Sequence, residues 1–156
     1  MSITKIGASP IGILPRREPV SLPASLALIE AVEEMSEKKR GAAVVIDDEG
    51  KLIGMFTIRD LIRDVYHSDH KRHGRPVSEV MTPAPTCVSE GDTLLTALQT
   101  MEKGNFRHLP TVDSEGRPTA ILSVRDILAE VAQQFPKEFV NLPARPSRPS
   151  IVPWGG

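Results

Sequence analysis

Among its 156 residues the chain has one cysteine, Cys87. An internal disulfide framework is therefore excluded, and a reducing compartment is expected. Aromatic residues make up only 4%, too few for a base-stacking platform on single-stranded nucleic acid. No excess of either charge exists, since the formal net charge is -1. Composition thus gives no reason to expect a nucleic-acid or membrane partner. No apolar run approaches the roughly 20 residues of a membrane span. The N-terminus, MSITKIGASPIGIL, lacks the long apolar core of a secretion signal. The expectation is a cytoplasmic protein. The 40% hydrophobic and 25% charged residues are those of a globular chain. Its length suits one domain or two small ones.

The chain does possess an internal repeat. Displaced by 66 positions, TIRDLI (57–62) falls on SVRDIL (123–128). Pro10 then meets Pro76, Leu28 meets Leu94, Met35 meets Met101, and Asp47, Glu49 and Gly50 meet Asp113, Glu115 and Gly116. The match runs without a gap from Pro10 to Val65 against Pro76 to Val131. It sets a leading segment, 1–18, running into a first repeat at 10–66. A connector at 67–75, a second repeat at 76–134 and a proline-rich tail at 135–156 follow.

Each copy reads as the same series of elements. Leu28, Ile29, Val32 and Met35 share one face of a helix over 24–38, and Leu94, Leu95, Leu98 and Met101 do so over 91–103. Gly91 or Asp92 is the expected cap of the second helix. Apolar runs at 42–47 and 51–57, or 109–113 and 117–123, flank the turns DDEG and DSEG. Each pair of runs predicts a hairpin. A helix then opens after Thr57 or Ser123. Short strands at 19–22 and 85–88 complete each sheet. A unit of about 50 residues is too small to stand well alone. The fold class expected is α+β, two pseudo-twofold β-α-β-β-α repeats packed sheet to sheet.

The hydroxyl and the Asp three residues later admit two readings. Thr57 with Asp60, and Ser123 with Asp126, have the spacing of a capping box, which only stabilises a helix. Yet Arg59 and Arg125 put a cation in the first turn, against the helix dipole. Free N–H groups at a helix start bind phosphate. The Asp is placed to accept hydrogen bonds from the two hydroxyls of a ribose. Phosphate and ribose grips beside an apolar slot describe a ribonucleotide site.

The segments GMFTIRD (54–60), AILSVRD (120–126), MTPAPTCV (81–88) and RHLPTVD (107–113) resemble the CBS domain, named for cystathionine β-synthase. Two copies in tandem resemble a Bateman module. The resemblance covers Pro10 to Gln134 and implies two clefts between the copies that bind AMP, ADP, ATP, NAD or a related adenosine ligand. It implies that Thr57 and Ser123 contact phosphate and that Asp60 and Asp126 contact ribose. It also implies that Thr82, Ala84 and Thr86 border a base, as do His108, Leu109 and Pro110. Phosphate contacts by Arg59 and Arg125 follow from their position rather than from the resemblance. Arg107 and His108 supply the second copy with polar groups that the first lacks, which favours the Ser123/Asp126 cleft. Gly54 stands where the second copy has Ala120, so the extra methyl is expected to narrow that second cleft.

The function expected is that of a regulatory module without catalytic activity. It binds an adenosine ribonucleotide, changes shape, and acts on a protein target. Stacking of repeat helices into a homodimer is expected. Two alternatives stand beside it. One is a ligand-free homodimeric scaffold whose Asp residues only cap helices. The other is a metal-responsive module using His67, His70 and His73 in the connector. No Ser-His-Asp or Cys-His set is suggested by the local sequence. Pro136, Pro143, Pro146, Pro149 and Pro153 favour extended geometry in the tail, where Trp154 is the one tryptophan and a possible anchor.

Overall fold

The computed structural model describes residues 3–67 and 74–134. His70 and His73 of the connector, and the tail with Trp154, lie outside the described residues. The elements run α1 (Ile3–Gly7), β1 (Ser21–Pro23), α2 (Leu28–Glu37), β2 (Ala42–Ile46), β3 (Leu52–Thr57) and α3 (Ile58–His67). They continue with β4 (Thr82–Pro83), β5 (Val88–Ser89), α4 (Leu94–Gly104), β6 (His108–Val112), β7 (Pro118–Ser123) and α5 (Val124–Gln134). In each copy the first strand pairs parallel with the second, and the second pairs antiparallel with the third. This is the expected β-α-β-β-α unit, twice.

Local chemistry explains the hairpins. Asp47 Oδ1 accepts from the N–H groups of Glu49 and Lys51, each at 2.9 Å. Asp113 does the same for Glu115 and Arg117. Gly50 and Gly116 close the turns at φ 79° and 80°, a region that costs other residues about 1–2 kcal/mol. The middle helices begin later than expected. Ala27, in extended conformation, precedes α2. The cap of α4 is Thr93, whose hydroxyl accepts from Thr96 N–H at 3.1 Å. Neither Gly91 nor Asp92 fills that role, because Asp92 accepts from Ser89 N–H at 2.8 Å. Both helices end in left-handed residues, Lys39 and Asn105.

Packing departs from the sequence boundaries. Ile6, Ile11 and Leu14 are buried with Leu94, Met101, Leu109 and Ile127 of the second copy. Val77 and Val80 are buried with Leu22, Leu28 and Phe56 of the first. Backbone bonds fix the exchange: Ile11 N–H donates to Asp92 O at 2.8 Å, and Val77 N–H to Leu26 O at 2.8 Å. Each copy therefore lends its leading residues to the other's core.

The two sheets meet through β2 and β7. Leu52 N–H also donates to Gly116 O at 2.9 Å. The twofold-related bond cannot form, because the residue matching Leu52 is Pro118, which has no N–H. A second asymmetry is β4. Thr82 and Pro83 pair with Met55 and Gly54, extending the first sheet to four strands while the second has three. That added strand carries residues of the second copy to the helix start that holds Asp60.

Candidate functional site

Asp60 is the buried charge of the first copy, 5% exposed at the start of α3. Its Oδ2 accepts from the backbone N–H of Thr57 at 2.9 Å and the Thr57 hydroxyl at 2.8 Å. Asp60 N–H points back to the same hydroxyl at 3.4 Å. This is a complete capping box. Its Oδ1 accepts from Arg63 at 2.7 Å and from Thr82 at 3.2 Å. In the second copy Ser123 and Asp126 repeat the box, with the Ser123 hydroxyl 2.6 Å from Oδ2.

A cleft of about 720 Å³ opens beside Asp60, within the usual range for small-molecule sites. One part of its lining is the start of α3, with Thr57, Arg59, Asp60 and Arg63. Thr82, Ala84 and Thr86 contribute from the segment around β4. The junction of α4 and β6, Gly104–His108, completes it. Met55, Ile58 and Phe106 add apolar surface. Ala84 sits in the left-handed region at φ 44°, held by its N–H to Ile53 O at 3.0 Å. A β-carbon residue held there stores strain of about 1–2 kcal/mol at the edge of the cleft.

Several sequence-predicted residues thus converge: Thr57, Arg59, Asp60, Thr82, Ala84, Thr86, Arg107 and His108. Others do not. Leu109 and Pro110 are fully buried in β6 and give nothing to the lining. Ser123, Arg125 and Asp126 are also outside it. The polar pair expected to favour the Ser123/Asp126 cleft therefore serves the other one. His108 pairs with Ser123 across the β6–β7 hairpin, yet it lines the Thr57/Asp60 cleft because β6 begins at the boundary between the two copies. Gly54 also has a different reason from the expected one. A β-carbon there would meet the flexible thioether of Met81, so Met81 fills the space that the missing side chain leaves. Arg63 was missed by the sequence reading, although its place three residues after Asp60, with opposite charge, is a signal for pairing.

His108 is half-buried, and burial lowers its pKa below the ordinary 6.5. Asp126 pulls it back up, while Arg107 and Arg59 push it further down. The imidazole thus senses groups from both copies. Among the described residues no cluster of His, Cys, Asp and Glu is placed to hold a metal ion. His67 ends α3. No helix of the described residues is long and apolar enough to cross a membrane.

Two duplicated sheet-and-helix units, with a cleft beside a helix start, define a tandem repeat. The family model described as the CBS domain matches residues 10–67 and 77–133, and the chain belongs to that family. It is similar to an uncharacterized 17.7 kDa protein of Acidianus ambivalens, 34% identical over 103 residues, or 66% of this chain and 61% of that one. It spans 20% of the length of the CBS domain-containing protein CBSCBSPB5 of Arabidopsis thaliana, at 34% identity over 70% of this chain. Among solved structures, CBSX2 in complex with AMP superposes with a TM-score of 0.67 at 28% identity, covering 80% of this chain and 96% of that one. A CBS domain protein from Pyrobaculum aerophilum complexed with AMP gives 0.69 at 28% identity, covering 80% and 99%.

Proposed function

We propose that this chain is a regulatory module that binds an adenosine ribonucleotide between its two repeats and passes the bound state to a protein target by changing shape. The observation that carries the reading is Oδ1 of Asp60, a cleft-lining carboxylate oxygen held by two side-chain donors. Ribose hydroxyls are donors of the kind that Arg63 and Thr82 now supply. Binding is then an exchange of donors rather than the creation of a new buried charge. Thr57 and the positive end of the α3 dipole face phosphate, and Met55 and Phe106 face the base. The AMP complexes of two proteins 28% identical to this chain support the ligand class. Thr82 is fixed to β3 through β4, so displacing its hydroxyl from Asp60 moves a strand shared by both copies. Such a shift needs a ligand with different affinities for the two shapes. The module is regulatory rather than catalytic, and its location is cytoplasmic.

Exposed aliphatics favour a homodimer through the repeat helices. Ile58, Ile62 and Val65 line one face of α3, with Ile62 63% exposed, and Leu128, which matches Ile62, is 57% exposed on α5. A second copy of this chain is the proposed cover.

A thermal-unfolding panel with AMP, ADP, ATP and NAD tests the reading. A ligand at 100 times its dissociation constant adds about 2.7 kcal/mol, which raises the midpoint by roughly 5–10 °C at this size. That shift is expected for an adenine nucleotide and is expected to vanish in Asp60→Ala. A flat response to every nucleotide overturns it. One observation favours the scaffold as a second reading: both capping boxes are complete without a ligand. In that case Asp60→Ala lowers the midpoint and nucleotides do nothing in either protein.

A further inference from the structure

We propose that Arg59 and Arg107 make this cleft selective for adenosine nucleotides carrying more than one phosphate group. The inference rests on the nucleotide reading above and adds the number of phosphates to it.

The lining holds three guanidinium groups, Arg59, Arg63 and Arg107, together with His108, against a single carboxylate, Asp60. Arg63 is bonded to Asp60 at 2.7 Å, so those two charges cancel. Arg59 and Arg107 are exposed and are ion-paired with none of the described residues. They come from different copies, one from the first turn of α3 and one from the junction of α4 and β6. Both are near enough to His108 to depress its protonation, with Asp126 opposing them. Two unpaired cations, one from each copy, therefore line a single cleft, beside the positive end of the α3 dipole.

A phosphate monoester carries about -1.5 to -2 charges at neutral pH. The helix start and one guanidinium suffice to bind it. A second guanidinium supplied from the other copy matches a further phosphate. Each charge-assisted hydrogen bond gained corresponds to about tenfold or more in affinity. Because both cations are exposed, the gain is screened by salt.

Titration calorimetry of the full chain with AMP, ADP and ATP, in magnesium-free buffer at low and high salt, tests this. ATP and ADP are expected to bind about tenfold or more tightly than AMP at low salt, with the preference shrinking at high salt. In the double variant Arg59→Gln/Arg107→Gln the ratio of ATP to AMP affinity is expected to fall towards one. The melting temperature without ligand is expected to stay unchanged, because both side chains are exposed. AMP binding as tightly as ATP in the unaltered chain overturns the inference and leaves the nucleotide reading standing. A preference that persists in the double variant also overturns it. Absence of binding by all three nucleotides removes both.

Discussion

The hydroxyl of Thr82 donates to Oδ1 of Asp60 at 3.2 Å across 22 residues of chain. One partner opens the second copy's first segment and the other opens the last helix of the first copy. Arg63 donates to the same oxygen, and Thr57 occupies the other twice. Asp126 lacks this outer pair. Among the described residues its carboxylate accepts only from Ser123. Two boxes with the same sequence pattern therefore have different surroundings, and the difference is created by β4.

Unequal surroundings predict unequal costs. Asp126→Ala removes the N3 partner of a capping box and is expected to destabilise by about 1 kcal/mol. Asp60→Ala removes the N3 partner of its box and two further hydrogen bonds to a buried carboxylate, each worth about 1.5–3 kcal/mol at most. A loss of about 2–4 kcal/mol is expected, since Arg63 and Thr82 regain water. Urea unfolding of the two variants measures this, and equal losses would show that the outer bonds contribute nothing.

Gly54 gives a paired test. Its missing β-carbon leaves room for the Met81 thioether. Gly54→Ala is expected to cost about 1 kcal/mol, because the flexible Met81 side chain must move aside. The loss is expected to shrink when Met81→Ala is added, because residues in contact are not additive. Ala120 occupies the matching place in β7 without harm, so Ala120→Gly is expected to change stability far less. Additive losses for Gly54→Ala and Met81→Ala would remove Met81 as the cause.

Much of the fold was legible because its determinants are local. Asp47 and Gly50 make their turn with atoms at most four residues away, and the boxes span three. Helical periodicity placed Leu28 and Met35 in one core and Leu94 and Met101 in the other. The exchange of leading segments was not legible. Ile11 and Val77 are equivalent residues whether each fills its own copy's core or the other's, so the repeat is silent on that choice. Thr82, Ala84 and Thr86 were found at the cleft through resemblance, and Arg59 through its place against the dipole. Arg107 and His108 were assigned to the wrong cleft for the same reason as the exchange. A repeat tells which residues correspond, not which side of the boundary they face.

Protonation of His108 predicts a pH dependence of folding. Its folded pKa lies below the 6.5 of the unfolded chain. Between those two values the unfolded state binds more protons, so stability rises with pH there. The stabilisation is present above about pH 6.5 and is lost as pH falls towards the folded value. Urea unfolding from neutral pH to about pH 5 should show a steeper loss for the unaltered chain than for His108→Gln. Parallel curves would show that the imidazole is as free to charge in the folded protein as in the unfolded one. Asp113, held low chiefly by the N–H of Arg117, acts in a separate and more acidic window. Its contribution is present above the unfolded value of 3.8 and is lost as pH drops through the folded one.

The exchange of leading segments makes the core of each copy depend on the other. A fragment of residues 76–134 contains a complete sequence repeat but lacks Ile6, Ile11 and Leu14, which its core buries. A fragment of residues 1–75 lacks Val77 and Val80. Burying each such aliphatic side chain is worth about 1.5–3 kcal/mol, and a unit this small has only a few kcal/mol to lose. The 76–134 fragment also loses the backbone partners that Ile11 and Gly12 bring to Asp92 and Glu90. Neither fragment is expected to show a cooperative thermal transition by circular dichroism. Mixing them is expected to restore one, because the missing residues of each are then supplied by the other. A sharp transition for 76–134 alone would mean that the second repeat closes its core without the first, and that the exchange serves the cleft rather than the fold.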